Sequence, residues 1–177
     1  DGLKIGISDQ GGLSFIASAN ERDMRLITVV LNVENAEEDI KALFLATASI
    51  MDYIANNFVV TTLAEKGTPY EDSHISVING SEDQIKVVAS NDLNIIQRIG
   101  SDSEPKVTFK KNKQEFKAPL AAHTPIGTLS YKDTDLIGKG YLKEEPSINM
   151  ETKKEVTQGF FLKVWWNNFV EYINEKL

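Results

Sequence analysis

The sequence predicts an α+β protein in three parts: a meander of short strands followed by one helix, a small all-β region, and an amphipathic helix that closes the chain. Three observations carry this. Up to residue 33, β-branched and apolar runs alternate with turn residues, and residues 35 to 58 then follow a helical period. From 59 to 158 that period disappears, and short β-type runs recur at roughly ten-residue spacing. From 159 to 177 the apolar side chains gather on one half of a helical wheel.

The elements follow in order. Ile5-Gly6-Ile7 is a brief apolar strand, and Gly11-Gly12 is a turn signal. Leu13 to Ala19 forms a second strand, with Glu21-Arg22-Asp23 as a polar hairpin tip. Leu26 to Val33 is a third, buried strand rich in β-branched residues. Asn35 has the character of a helix N-cap, with Glu38 placed as in a capping box. Ile40, Leu43, Phe44, Thr47, Met51, Ile54 and Phe58 make one apolar helical face, which would lie across the meander.

In the β region the runs are Val59 to Leu63, His74 to Ile78, Ile85 to Ala89, Leu93 to Ile99, Lys106 to Phe109, Ile126 to Tyr131 and Leu136 to Leu142. Turns at Asn79-Gly80, Ser101-Asp102 and Lys132-Asp133 separate some of them, as in a small sandwich or barrel. The expected segments are therefore 1–58, 59–158 and 159–177.

Composition excludes several classes. With 41% hydrophobic and 25% charged residues in 177, the chain is globular rather than disordered or polytopic. A net charge of −7 argues against nucleic acid as a partner. There is no cysteine, so disulfides, thiolate metal sites and cysteine nucleophiles are excluded. His74 and His123 are 49 positions apart and are expected in loops, so neither a metal nor a cofactor is expected. Asp1 stands where a methionine would, which suggests a processed chain or a start inside a longer protein.

The terminal segment invites a membrane reading. Phe161, Leu162, Trp165, Trp166, Phe169, Val170, Tyr172, Ile173 and Leu177 share one face, and Lys163, Asn167, Asn168, Glu171, Asn174 and Glu175 the other. Aromatic residues favour the bilayer interface, and the segment is too short and too polar on one side to span. A terminal helix that docks its apolar face on the protein core has the same pattern, and the sequence leaves both readings open.

Catalytic constellations are sparse. Ser103-Glu104-Pro105-Lys106 has Ser-x-x-Lys spacing, but the proline and the Val-Thr-Phe that follows place it in a loop entering a strand. A Ser-Lys pair needs both groups one turn apart at a helix start. Ser18-Ala19-Asn20 and Ser147-Ile148-Asn149 match Ser-x-Asn at about the frequency chance allows. Asp52 suits a solvated or capping group.

One motif is more specific. Asp1-Gly2-Leu3-Lys4-Ile5-Gly6-Ile7-Ser8 resembles the Asp-Gly-Leu-Lys-Thr-Gly-x-Thr/Ser strand of penicillin-recognising serine enzymes. The resemblance continues through Gly11-Gly12-Leu13-Ser14-Phe15-Ile16-Ala17, Asp23 to Leu31 and Ser49-Ile50-Met51-Asp52-Tyr53. Ala118-Pro119-Leu120 and Ile126-Gly127-Thr128-Leu129 resemble the β-domain that follows in the same family. The Phe160 to Phe169 stretch resembles the anchoring helix of Gram-positive low-molecular-mass penicillin-binding proteins.

The resemblance implies the C-terminal strands and last helix of a transpeptidase/β-lactamase-like domain, then an all-β domain and an anchor. It implies a serine-type D-alanyl-D-alanine carboxypeptidase at the outer face of the cell membrane, with peptidoglycan stem peptides and β-lactams as partners of the intact protein. The nucleophile would lie before Asp1. Lys4 would be the motif lysine, Gly6 would leave room for substrate, Ile7 would supply a backbone oxyanion-hole N–H, and Ser8 the second hydroxyl. Membrane contacts would come from Phe161, Leu162, Trp165, Trp166, Phe169 and Ile173.

Ile5 departs from the pattern, because the family's Thr or Ser there donates to the substrate carboxylate. Loss of such a bond costs about 1.5–3 kcal/mol, ten- to a hundredfold in affinity. Where the family often has an arginine near the last helix, the matching stretch has Leu43, with Lys41 the nearby cation. Weak recognition of the usual carboxylate is expected, and a degenerate, non-enzymatic protein acting as a spacer or interaction module is the alternative.

Overall fold

The computed structural model describes residues 2–33 and 39–174. It is a mixed α and β structure built mostly of strands, and it divides into two compact units. The first comprises Asp1–Thr61 with Ile95–Asp102, the second Thr62–Asn94 with Ser103–Leu177.

In the first unit, β1 (Gly2–Ser8), β2 (Gly12–Glu21) and β3 (Met24–Leu31) form an antiparallel meander in that order. The β2–β3 connection is a two-residue turn in which Arg22 and Asp23 both have positive φ, 49° and 63°. That is the backbone twist a tight hairpin requires, here without a glycine. The Arg22 guanidinium donates to the Ala55 carbonyl at 2.6 Å, which ties the turn to helix α1 (Lys41–Asn57).

The helix packs on one face of β2. Leu13, Phe15 and Ala17 point the same way by strand alternation and form a buried cluster with Leu43. Phe44 meets Phe15 edge to face, with ring centroids 5.1 Å apart. Leu43, Thr47 and Ala55 are the buried residues of α1, so the buried stripe is narrower than the periodicity suggests, and Ile40 and Phe44 stay exposed. The expected capping pair Asn35 and Glu38 lies outside the described residues. Asp39 Oδ1 accepts from the Lys41 N–H at 3.0 Å and serves the helix start.

Strands β4 (Phe58–Ala64) and β7 (Leu93–Arg98) form a two-stranded ribbon. Within the first unit, the Arg98 guanidinium stands 5.2 Å from the Phe58 ring centre, and the Ile99 N–H donates to Asn57 O at 2.8 Å.

The second unit holds a six-stranded sheet in the order β8-β10-β11-β6-β5-β9. Its strands are β5 (Pro69–Ile78), β6 (Gln84–Ala89), β8 (Lys106–Lys111), β9 (Phe116–Lys117), β10 (Pro125–Lys132) and β11 (Ser147–Thr152). All pairings are antiparallel except β5 with β9. Ile75, Val87, Ile126, Leu129 and Met150 form its buried interior. Gly127 is required where β10 passes β8, because a Cβ there would meet the Lys110 carbonyl oxygen and the Phe109 ring. Buried Thr152 satisfies its hydroxyl locally, donating to Ala121 O at 2.7 Å and accepting from the Thr124 N–H at 2.9 Å.

Two sequence expectations are corrected. Leu136 to Leu142 is turns rather than a strand, because Gly138 and Gly140 adopt positive φ of 62° and 79° and break the extended backbone. His74 lies on β5, not in a loop, with its imidazole on the exposed side of an alternating strand. The last described element is helix α2 (Phe161–Asn174).

Candidate functional site

Among the described residues strand β1 is an edge of its sheet, paired with β2 alone. The register places Lys4 opposite Ile16, Gly6 opposite Ser14 and Ser8 opposite Gly12. Lys4, Gly6 and Ser8 therefore share one face of the sheet. Ile5 and Ile7 lie opposite Phe15 and Leu13 and share the face on which α1 packs. All five residues are exposed, and Lys4 has no ion-pair partner among the described residues.

Gly6 is open: a Cβ built there has nothing within 4 Å. No packing among the described residues calls for a glycine at this point. Ser8 is already engaged, because its Oγ accepts from the Gly11 N–H at 3.0 Å across the β1–β2 turn. Its own proton remains available for donation.

Leu43 has no exposed surface, and its neighbours are Leu13, Phe15 and Ala17. Core packing accounts for an apolar residue there, so its lack of charge carries no information about a carboxylate partner. Lys41, on the first turn of α1, is exposed.

Ser103 and Lys106 lie in a loop and at the start of β8, so the Ser-x-x-Lys spacing does not fall on a helix. Ser18 and Ser147 are strand residues. His123 is in a turn with φ +59°, and its Nδ1 lies 2.6 Å from Glu151 Oε1.

Among the described residues, the groups pushed from their ordinary titration range are two tyrosines of the second unit. Burial, then the Asp133 charge and a 3.3 Å hydrogen bond to Asp133 Oδ1, push the Tyr131 phenol up to about 12. Burial first and Asp133 second also raise Tyr141.

Helix α2 presents its apolar side outward. Phe161, Leu162, Trp165, Trp166, Phe169 and Ile173 are all exposed, with Trp165 at 60% and Trp166 at 58%. The rings stack on one another rather than on the sheet. Trp165 and Phe169 lie 5.7 Å apart and nearly parallel, and Trp166 and Phe169 are 6.1 Å apart. Amide hydrogen bonds link α2 to the sheet: the Asn167 Nδ2 donates to Asn79 Oδ1 at 3.1 Å, and the Asn79 Nδ2 donates to Asn168 Oδ1 at 3.2 Å. The docked arrangement that the sequence left open, apolar face against the core, is therefore not the one formed. No helix among the described residues is long and apolar enough to cross a membrane.

Sequence reasoning treated Asn79 only as half of a turn signal. Asn79 next to glycine, together with the Asn167-Asn168 pair on the polar face of α2, was the available clue to its second role.

The profile described as "Penicillin-binding protein 5, C-terminal domain" matches residues 58–158, more than half of the chain. The chain belongs to the penicillin-binding protein 5 family. Relatives in this family extend the likeness beyond the matched residues. D-alanyl-D-alanine carboxypeptidase DacA of Haemophilus influenzae is 29% identical over 167 residues, covering 93% of this chain and 39% of its own length. D-alanyl-D-alanine carboxypeptidase DacC of Escherichia coli is 26% identical over 165 residues, covering 93% and 38%. The chain thus spans about two fifths of the curated relatives it matches.

Among solved structures, a peptidoglycan synthesis regulatory factor (PBP3) from Streptococcus pneumoniae is 40% identical with a TM-score of 0.77, covering 88% of this chain and 42% of that one. Penicillin binding protein 5 from Haemophilus influenzae is 27% identical with a TM-score of 0.60, over 88% and 42%. The profile match begins at β4, so β1 lies outside the part of the family it describes.

Replacing Gly6 by alanine is expected to leave the unfolding free energy of the chain within about 0.5 kcal/mol of wild type, as for a surface site without special geometry. Urea denaturation checks this; a loss above about 2 kcal/mol would mean that the glycine serves the fold.

Proposed function

We propose that the chain is the C-terminal part of a serine-type D-Ala-D-Ala carboxypeptidase that trims peptidoglycan stem peptides at the outer face of the cell membrane. Residues 1–58 form the C-terminal part of the catalytic domain and one wall of its active site. Residues 59–158 are the all-β domain, and 159–177 the membrane-anchoring helix. The observation that carries this reading is the Lys4-x-Gly6 motif on an exposed edge strand, in a chain related to D-alanyl-D-alanine carboxypeptidases over nearly its whole length.

The serine nucleophile lies outside residues 1–177 in this reading, so the segment alone does not hydrolyse peptide. In the intact protein the serine attacks the penultimate D-Ala carbonyl and the terminal D-Ala leaves as the free amino acid. Water then releases the acyl group. The Lys4 ammonium biases the field beside the nucleophile and assists its proton transfer. The Ile7 N–H is half of the oxyanion hole, a donor whose loss in comparable sites costs 10²–10³ in rate. Gly6 lets substrate lie close along the strand, and Ser8 offers a hydroxyl proton.

Ile5 supports a second reading. A side chain without a donor cannot bond the terminal carboxylate of D-Ala, so a degenerate member acting as a spacer or interaction module at the membrane surface is the alternative. Release of D-Ala from a D-Ala-D-Ala peptide by the intact protein separates the two. The carboxypeptidase reading expects measurable release, with Ile5→Thr lowering KM ten- to a hundredfold through the regained bond. No release from either form leaves the non-enzymatic reading.

The exposed aromatic side of α2 supports the anchor. Its zero formal charge over 159–177 places the binding on apolar area rather than on anionic lipid. In liposome flotation the protein is expected to float with the vesicles, and a form lacking 159–177 to stay in the load fraction. Equal flotation would sink the anchor.

A further inference from the structure

We propose that Asn79 is a latch that fixes helix α2 to the β-sheet of the second unit and so sets the direction in which its aromatic face points. The inference rests on the anchoring role of α2 and adds to it a residue that orients the anchor.

Asn79 follows β5 in the turn to β6 and is only 2% exposed. It makes three bonds to the terminal segment. Its carbonyl accepts from the Gly159 N–H at 2.9 Å, its Oδ1 accepts from Asn167, and its Nδ2 donates to Asn168. The position has two requirements. Its φ of +59° suits asparagine among the non-glycine residues, and the two-way bond to α2 needs a donor and an acceptor on one short side chain.

Little else holds the helix against the sheet. Among the described α2 side chains none is fully buried; Val164 and Asn167 are the most covered, and Val170 and Ile173 keep 39% and 38% of their surface. An open groove of about 730 Å³ separates Trp166, Val170 and Asn174 from Ser76–Asn79, Asp83 and Gln84. With little apolar burial beneath the helix, these amide bonds are the specific contacts that decide which side faces the sheet. At 100° per residue, Leu162, Trp165, Phe169 and Tyr172 lie about 140–160° around the helix from Asn167, so fixing Asn167 inward turns them outward. A latch of this kind holds the β-domain at one angle to the surface that the aromatic residues enter.

Asn79→Gly is the informative variant, because glycine keeps the positive φ and deletes only the amide. Asn167→Ala with Asn168→Ala removes the same bonds from the helix side and leaves the turn untouched. Nitroxide labels at Asn174→Cys and Lys86→Cys, in a segment with no cysteine of its own, report the helix–sheet distance in the intact protein by pulsed EPR. The latch predicts one narrow distance distribution, broadened at least twofold in both variants, while flotation on phosphatidylethanolamine/phosphatidylglycerol vesicles stays within twofold of wild type. A distribution as narrow in either variant as in wild type overturns the latch. A narrow wild-type distribution that broadens in both variants, with no vesicle binding by any form, keeps the latch and removes the anchoring role.

Discussion

Side chains on a β-strand alternate between two faces, and this constraint organises the first unit. On β2 the odd-numbered residues Leu13, Phe15 and Ala17 are taken up by the core with Leu43. The even-numbered residues are then committed to the other face, and pairing with β1 commits Lys4, Gly6 and Ser8 to it as well. A one-residue slip would exchange the two sets. The packing of α1 on β2 therefore determines which side of the sheet carries the lysine. Burial of the Phe15 row, worth about 1.5–3 kcal/mol per large side chain, makes that choice robust.

The terminal helix follows the opposite logic. Its apolar side chains find no core, and asparagine amides make the contact instead. A contiguous exposed aromatic surface of this kind calls for a partner. A bilayer interface is the partner that tolerates tryptophan and tyrosine at its boundary, and the proposed function uses it so. The edge strand β1 and the exposed α2 are two of the places where the described residues leave surface for something else. In the proposed reading they meet the substrate-binding part of the catalytic domain and the membrane, respectively.

Much of the fold was legible because period and punctuation agree. β-branched runs bounded by Gly11-Gly12 and by Arg22-Asp23 gave the meander, and Leu43 to Thr47 marked the buried side of α1. Between residues 59 and 158 the described regular elements are strands, in keeping with the spacing of the β-type runs. The failures have physical causes. Leu136 to Leu142 is apolar enough for a strand, but two glycines at positive φ dominate it. Strand β11 was missed because Ser147-Ile148-Asn149 is polar on its exposed side and gains its place through pairing with β10 and β6. The strand motif was legible in one dimension, whereas the core position of Leu43 and the role of Asn79 depend on contacts 28 and about 88 residues distant, respectively, to which a local pattern is blind.

The proposed role of β1, as one wall of an acyl-serine active site, turns on Lys4. Acylation of the intact protein by a labelled penicillin, compared between wild type and Lys4→Ala, tests it most directly. Lys4 is exposed and without an ion-pair partner among the described residues, so its removal should spare the fold. The account predicts covalent labelling of the wild type and a rate lower by about 10²–10⁴ in the variant, the usual contribution of a positioned proton-transfer group. Equal labelling rates in two folded proteins would contradict it.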